Sequence, residues 1–342
     1  MPQLTYYVRR TRAAPLPAGV SLLGGAVVAW PQRAPTQTRP QAAAQNWPQR
    51  VVRIIVPYAP GGTDAIARIL GAGLQKSAGY QVIIENKGGG STNIGTEAVA
   101  HAAADGYTIL FASLSFAINR FLFTSLGYDA VTDFAPVSLL ATYPDLMAVP
   151  NASPAKTVAE FIAYAKQNGG RTTFASPGAG SSPHLAGELF KRRAGIEMTH
   201  IPYRGAGPAL TDVIAGRVDV IFNTLGSTLS LVRERQLRGL AVTSAQRFAG
   251  APELPTVAET VLPGFDVAGW YSLVVPAQTP PDIVRKLNTD VAAVLADPTF
   301  HDKMEQFGVA VAGSTPDELA RLLRSEIELW GPVIKAANIK GE

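Results

Sequence analysis

Short runs of β-branched and other apolar residues alternate with helix-period stretches along most of the chain, beginning near Trp47. Alternation of this kind is typical of βαβ units that build a mostly parallel sheet. In the first half the predicted strands are residues 51–56, 82–85, 108–112, 137–140 and 146–149, and the predicted helices are 63–77 and 92–103. The pattern therefore predicts a first α/β unit before any chemistry is considered.

The same alternation begins again after residue 150. The predicted helices are 157–167, 181–194, 208–215 and 227–234, and the predicted strands between and after them are 172–175, 198–202, 218–223 and 240–243. A last strand at 271–275 precedes helices at 281–295, 298–307 and 315–336. We expect an α/β fold of two doubly wound, Rossmann-like lobes with a ligand cleft between them. Lobe 1 is predicted to hold residues 45–148 plus 272–342 and lobe 2 residues 149–271, with the chain crossing near Val149 and near Tyr271.

Composition supports a large folded core and places the basic charge in one segment. The 342 residues are 47% hydrophobic and 16% charged, which excludes disorder for most of the chain. The first 44 residues contain five arginines and no acid, so the remainder carries a net charge of about −1 although the whole chain carries +4. The basic residues therefore predict no nucleic-acid surface. Because no cysteine is present, disulfides, thiolate metal sites and a lipid-anchored cysteine are excluded.

Residues 1–44 have the parts of a secretory signal. An arginine-rich start precedes an apolar stretch at 16–30 and small residues at 42–44. Cleavage after Ala29 and cleavage after Ala44 both fit the pattern, and the alternative is a flexible tail rich in proline, alanine and glutamine. The apolar stretch is too short and too interrupted for a membrane-spanning helix. We expect an exported protein.

Several catalytic motifs can be set aside by inspection. Residues 90–96 have P-loop spacing, but Thr96 stands where the phosphate-binding lysine belongs. The dinucleotide-like stretch at 178–183 has Pro183 in place of its third glycine. The four histidines lack metal-ligand spacing, and no nucleophile and base form a recognisable pair. The sequence therefore predicts no enzyme activity, no cofactor and no metal site.

Glycine and serine loops follow several predicted strands. Gly61 and Gly62 open onto a helix led by Asp64, a junction that leaves backbone N–H groups free to hold an anion. A second such loop, 176–184, combines small residues, three serines and His184, and a third at 203–207 adds an aromatic ring and Arg204. The alternative interpretation is that the glycines only turn the chain, the polar residues only cap helices, and the arginine is only solvated. Because such loops recur at the carboxyl ends of strands, the pattern favours a site that binds a small anion and does not catalyse a reaction.

Five segments together resemble a known family. They are residues 47–62 (WPQRVVRIIVPYAPGG), 85–100 (ENKGGGSTNIGTEAVA), 105–108 (DGYT), 202–205 (PYRG) and 216–219 (GRVD). In order and spacing, from Trp47 almost to the C-terminus, they resemble the Bug/TctC-type substrate-binding proteins of tripartite tricarboxylate transporters.

The resemblance implies a periplasmic two-lobed binding protein that closes on a small organic carboxylate and delivers it to membrane transporter subunits. We also expect a monomer, and the charge distribution predicts no nucleic-acid partner. In that family, loops of both lobes hold the carboxylate largely through backbone N–H groups and bridging waters. By position, this role falls on Tyr58, Ala59, Gly61, Gly62, Thr63, Asp64, Ser113, Ser176, Gly178, Gly180, Ser181, His184, Tyr203, Arg204, Gly205 and Asn223. The chain departs from the family pattern in the single residue between Gly62 and Asp64 and in Asn223, where an aspartate is frequent.

Two other functions remain open at this point. One is a sensor lobe that presents bound ligand to a signalling receptor. The other is an α/β enzyme acting on an acidic substrate, which needs a proton-transfer pair inside the cleft.

Overall fold

A computed structural model describes residues 46–341. The first series of elements is β1 (Val52–Val56), α1 (Gly62–Ala78), β2 (Val82–Asn86), α2 (Asn93–Ala100), β3 (Thr108–Ser113), α3 (Leu114–Leu122) and β4 (Phe134–Pro150). Strand β1 pairs in parallel with β2 and with β3. The carboxyl ends of these three strands therefore meet at one edge of the sheet.

A second series follows the long strand β4. It consists of α4 (Val158–Gln167), β5 (Thr173–Ser176), α5 (Ser182–Ala194), β6 (Thr199–Pro202), α6 (Ala206–Ile214), β7 (Val220–Thr224), α7 (Leu225–Arg233), β8 (Leu237–Val242) and α8 (Val257–Thr260). The chain ends with β9 (Ala268–Pro276), α9 (Pro281–Leu295), α10 (Pro298–Gln306), β10 (Ala310–Val311) and α11 (Pro316–Ala336). Strand β5 pairs in parallel with β6 and β7, so a second set of carboxyl ends forms.

Strand β4 belongs to both lobes. From Phe134 to Pro144 it pairs with β9, and from Asp145 to Ala148 it pairs with β7. We call the group of β1, β2, β3, β9 and β10 the first lobe and the group of β5 to β8 the second lobe. The change of partner falls between Pro144 and Asp145, close to the predicted crossing. The predicted residue bounds of the lobes stay a prediction.

The same strand corrects two predictions. Residues 137–140 and 146–149 are parts of one 17-residue strand and not two strands. The polar residues between them do not break the strand, because they lie where the chain passes from one lobe to the other. Strands β4 and β9 are antiparallel to their neighbours, so the sheet is mixed and not mostly parallel.

One hydrophobic core joins the lobes. It includes Phe116 on α3, Phe190 on α5 and Trp330 on α11, each almost fully buried. Burying a side chain of this size contributes roughly 1.5–3 kcal/mol. Helix α11 packs against both α3 and α5, so it contributes to the core on both sides of the lobe junction.

The predicted leader, residues 1–44, lies outside the described residues. Within residues 46–341, none of the helices combines the length and the apolar character that crossing a membrane requires.

Candidate functional site

A cleft of about 550 Å³ lies where strand-end loops of the two lobes meet. The first lobe contributes residues 57–60 after β1, Asn86 and the loop 88–92 after β2, and Ser115 on α3, and the second lobe contributes the loop 177–181 after β5. Two larger depressions, of about 630 and 850 Å³, contain none of the predicted site residues. The 550 Å³ cleft occupies the sheet edge at which α/β proteins bind ligands, so we treat it as the candidate site. We call residues 57–60 and 88–92 the first wall and residues 176–181 the second wall.

The first wall is built by close packing of backbone on backbone. A Cβ atom on Gly88 would lie 2.9 Å from the backbone nitrogen of Ala59 and 3.1 Å from the carbonyl carbon of Tyr58. The Asn86 side-chain amide donates to the Tyr58 carbonyl oxygen at 3.1 Å. These contacts fix the loop after β1 against the loop after β2, and only glycine fits at position 88.

Four consecutive residues of this wall have positive φ. They are Gly89, Gly90, Ser91 and Thr92, with φ of 120°, 54°, 50° and 81°. Such values are unfavourable for serine and more so for β-branched threonine. Asn119 of α3 offsets the strain, because its side-chain amide donates to the Ser91 carbonyl oxygen at 2.7 Å and to the Thr92 hydroxyl at 3.3 Å.

The second wall is fastened by side-chain hydrogen bonds. The Ser181 hydroxyl donates to the Gly178 carbonyl oxygen at 2.7 Å and also caps α5 by accepting from the backbone N–H of His184. The Ser176 hydroxyl is hydrogen-bonded to His200 Nε2 at 2.7 Å. Within this wall, Ser176 is fully buried, whereas Gly178 and Ser181 line the cleft.

Two neutral histidines support this wall from behind. The backbone N–H of Gly180 donates to Nδ1 of His184 at 3.0 Å, which assigns the proton of that ring to Nε2. The rings of His184 and His200 are stacked with centroids 3.6 Å apart. Burial lowers the pKa of His184 to about 3 and that of His200 to about 4. His200 and Lys191 add to the lowering at His184, and Lys191 adds to the lowering at His200. His184 therefore acts on the loop backbone in this structure and does not line the cleft.

Helix α1 begins beside the first wall without a side-chain cap. Gly61 is the N-cap residue, in extended backbone, and Gly62 is exposed. The Asp64 carboxylate is buried and accepts from Arg68 at 3.0 Å instead of capping the helix. The first backbone N–H groups of α1 consequently have no intrahelical partner. These residues follow Pro60, the last lining residue of their loop.

Two contacts between hydroxyl groups join the residues after β1 to strands β3 and β9 of the first lobe. Tyr58 Oη lies 2.5 Å from Ser113 Oγ, and Thr63 Oγ1 lies 3.3 Å from Tyr271 Oη. Burial raises the pKa of Tyr58, so its hydroxyl is neutral. Ser113 is the N-cap residue of α3, which also lacks a side-chain cap and places Ser115 in the cleft.

The remaining predicted residues lie away from the cleft lining. Tyr203 donates to Asp212 at 2.7 Å, and burial and this bond raise the pKa of Tyr203 to about 12. Arg204 is exposed. The N–H of Gly205 donates to the Pro177 carbonyl oxygen at 2.9 Å, which braces the second wall. Asn223 is fully buried, and its amide donates to Thr228 at 3.0 Å.

Sequence reasoning missed part of the first wall. Asn86, the loop 88–92 and Ser115 were not named as site residues, although the run Gly88-Gly89-Gly90 was a visible signal of close backbone approach. The run was used for the family resemblance, and Gly90 as the start of a P-loop-like stretch, but neither use made it a predicted ligand contact. Pro57, Pro60, Pro177 and Ala179 carry no polar side chain, so nothing in their chemistry indicated that they line a cleft.

The charge of the site comes from its backbone. Within the described residues, no lysine, arginine or histidine lines the cleft. Helices α1 and α3 start here uncapped, and their N-terminal partial positive charges favour an anion. Among residues 46–341, no group of three or more histidine, aspartate or glutamate side chains could hold a metal ion. The arrangement can hold an anion by hydrogen bonding.

The fold and this site define a two-lobed α/β solute-binding protein. Residues 66–339 match the family model described as tripartite tricarboxylate transporter family receptor, TctC, so the chain belongs to that family. A relative from a Pseudomonas species, encoded between tcbD and tcbE, is 39% identical over 290 residues, covering 84% of this chain and 86% of the relative. Protein BugT of Bordetella pertussis is 34% identical over 301 residues, covering 87% of this chain and 92% of BugT.

Solved structures agree with this assignment. A protein of R. palustris solved with adipate is 37% identical and superposes with a TM-score of 0.78 over 86% of this chain and 99% of its own. MatC from Rhodopseudomonas palustris, with bound malate, is 32% identical with a TM-score of 0.71 over 84% of this chain and all of its own. Periplasmic binding protein BugD is 32% identical with a TM-score of 0.74, over 86% of this chain and all of its own. Proteins of this family are periplasmic binding proteins and not enzymes.

Proposed function

We propose that this protein captures a small organic carboxylate in the periplasm and presents it to the membrane subunits of a tripartite tricarboxylate-type transporter. The observation that carries the proposal is the cleft between strand-end loops of both lobes, beside two uncapped helix starts. Adipate and malate in two relatives of the same fold support a carboxylate as the ligand class.

The chemistry of the cleft suits a carboxylate held by neutral donors. Hydrogen bonds from backbone N–H groups to a charged acceptor are about twice as strong as those between neutral groups. Because the two walls belong to different lobes, closure of the lobes brings the second wall onto a carboxylate held at the helix starts of the first lobe. Serine and threonine hydroxyls at positions 91, 92 and 115 line the cleft and can bond to a second polar group of the ligand.

Export and the monomeric state are part of the proposal. The family supports a periplasmic location, and residues 1–44 carry the sequence features of a secretory signal. A single copy contains loops of both lobes, so the proposed site needs no second chain.

A thermal-shift titration with adipate and with malate tests the proposal. Ligand at a hundred times its dissociation constant stabilises the folded state by about 2.7 kcal/mol, and the melting temperature keeps rising with the logarithm of ligand concentration. Adipamide, which has the adipate chain with two neutral amides, is the matched control and should produce no shift. A panel of small mono- and dicarboxylates that leaves the melting temperature unchanged would contradict carboxylate capture.

A further inference from the structure

A fully buried carboxylic acid lies at the junction of the two lobes. Asp145 has no exposed surface, and it occupies the position at which β4 leaves β9 and pairs with β7. Its Oδ2 accepts a hydrogen bond from the Ser182 hydroxyl at 2.6 Å. Its Oδ1 is buried and has no hydrogen-bond partner within the described residues. An acid buried in this way without a cation is unusual, because burial penalises its charged form.

The groups around Asp145 are neutral. Tyr143 lies two residues before it on the same strand, and Tyr271 of β9 packs against Tyr143 with ring centroids 4.8 Å apart. Burial raises the pKa of Tyr143, and it raises that of Tyr271 to about 12, so both phenols keep their protons. On α5, His184 follows Ser182 by two residues, is neutral and bonds to Gly180. Burial, opposed only by the Ser182 hydrogen bond, raises the pKa of Asp145 to about 7.

Asp145 is joined to the ligand cleft through Ser182. Ser182 is the first residue of α5 and directly follows Ser181, which lines the cleft. The hydrogen bond from Ser182 thus connects the buried acid to the end of the second wall. Ser182 and Asp145 are both buried, so the path that joins the second wall to the acid runs through the protein interior. A negative charge in the cleft therefore interacts with a negative charge on Asp145 with weak screening.

We infer that this protein takes up a proton on Asp145 when it captures an anionic solute, so that anion and proton bind together. The proton comes from solvent, converts the buried carboxylate to a neutral acid, and returns to solvent when the solute leaves. The inference rests on the proposed function, because the coupling requires an anion in the cleft. No contact between Asp145 and the solute is needed, so Asp145 is a positioning and charge-balancing residue.

The direction of the effect follows from linkage. An anion in the cleft raises the proton affinity of Asp145 further, so the protonated protein binds the anion more tightly. Affinity for a dicarboxylate falls as pH rises above about 7, by at most about tenfold for each pH unit when one proton is linked. Asp145→Asn keeps a neutral group of similar shape and removes this part of the pH dependence.

Calorimetric titration of adipate into the protein at pH 6, 7 and 8, in buffers of different ionisation enthalpy, measures affinity and proton uptake together. The wild type should bind less tightly at pH 8 than at pH 6 and should take up a fraction of a proton near pH 7.5. Asp145→Asn should bind adipate with an affinity that does not change with pH and with no proton uptake. Equal pH dependence in both proteins, or binding without proton uptake in the wild type, would overturn the inference and leave the proposed function standing.

Two further experiments test the inference without the Asp145→Asn substitution: a second variant and a measurement on ligand-free protein. Ser182→Ala removes the hydrogen bond that favours the carboxylate, so the pH at which affinity falls should move upward. In ligand-free protein, the carboxyl carbon signal of Asp145 should titrate near neutral pH by NMR. Titration of that signal near its ordinary pKa of about 4 would overturn the inference. If no carboxylate of the thermal-shift panel binds, the proposed function fails and the coupling fails with it; if another carboxylate of the panel binds, it replaces adipate in this titration.

Discussion

The two walls of the cleft are held in place by different forces. In the first wall, backbone packs directly on backbone at Gly88, and four residues with positive φ are restrained by Asn119. In the second wall, Ser176 and Gly180 are hydrogen-bonded to His200 and His184, two neutral histidines whose rings are stacked. The first wall is therefore sensitive to added volume and indifferent to pH, whereas the second depends on two side chains that can be protonated. A small ligand in the cleft would therefore contact one wall that is fixed by packing and one wall whose supporting side chains can be protonated.

Gly88→Ala should break the first wall and have the largest effect. The added methyl group would meet the backbone of Tyr58 and Ala59, which cannot move without shifting the loop after β1. Overpacking of this kind costs about 1–3 kcal/mol of folding stability. We expect carboxylate affinity to fall by about tenfold or more, a loss of about 1.4 kcal/mol in binding free energy. Chemical denaturation and calorimetric titration measure the two effects.

Gly207→Ala is the matched control for this substitution. Gly207 lies in α6, and a Cβ atom there has no heavy atom within 4 Å. Alanine in place of glycine within a helix is favourable by up to about 1 kcal/mol, so the control should be unchanged or slightly more stable. Wild-type affinity in Gly88→Ala would show that the first wall does not position the ligand.

Acid should weaken the second wall through its two histidines. Their folded pKa values, about 3 and about 4, lie below the ordinary value of 6.5, so the unfolded chain takes up protons first as pH falls. The stability that depends on the neutral rings is complete above pH 6.5 and is lost as pH falls towards about 4. The slope is at most about 1.4 kcal/mol per pH unit for each proton. Thermal denaturation between pH 4 and pH 7 measures it.

His200→Gln separates this effect from other titrations. Glutamine keeps a hydrogen-bonding partner for Ser176 and cannot take up a proton in this range. The variant should be less stable at pH 7 but should lose less stability per pH unit on acidification. The folded pKa of Asp145 is raised, so this residue makes the protein more stable as pH falls from 7 to 4, opposite to the histidines. Because Asp145 is present in both proteins, its contribution to stability cancels when wild type and variant are compared. Parallel pH profiles would rule out the histidine pair as the acid-sensitive part of the wall.

The alternation of apolar runs and helix-period stretches was enough to predict most of the fold. Helices α5, α9 and α11 lie within a residue of their predicted ends, because each starts at a serine or proline signal and keeps one apolar face. The same signals failed along β4, where Pro144 and Asp145 look like a turn. Tertiary context decides there, since Asp145 is buried under α5 at the crossing between lobes. Helix α3 was missed because it follows β3 with no glycine or proline between them.

The sequence predicted which loops form the site better than it predicted which side chains of those loops face the cleft. Tyr58, Ala59, Gly178 and Ser181 line the cleft, as their position after a strand indicates. His184 has the chemistry of a ligand group, but only the fold reveals that its Nδ1 is already used by Gly180. Asn119 is distant in sequence from the loop that it restrains, and no local pattern identifies such a partner.

Arg204→Ala should have the smallest effect and tests whether a third loop adds to the two walls. An arginine beside a carboxylate site could act as a clamp, but Arg204 is exposed and does not line the cleft. The neighbouring contribution to the second wall is made by the backbone of Gly205, which alanine at position 204 leaves in place. We expect carboxylate affinity to change by less than about twofold, below roughly 0.5 kcal/mol. A tenfold loss, still present at 0.5 M salt where long-range attraction is screened, would instead place a cation on the ligand and add a third wall to the site.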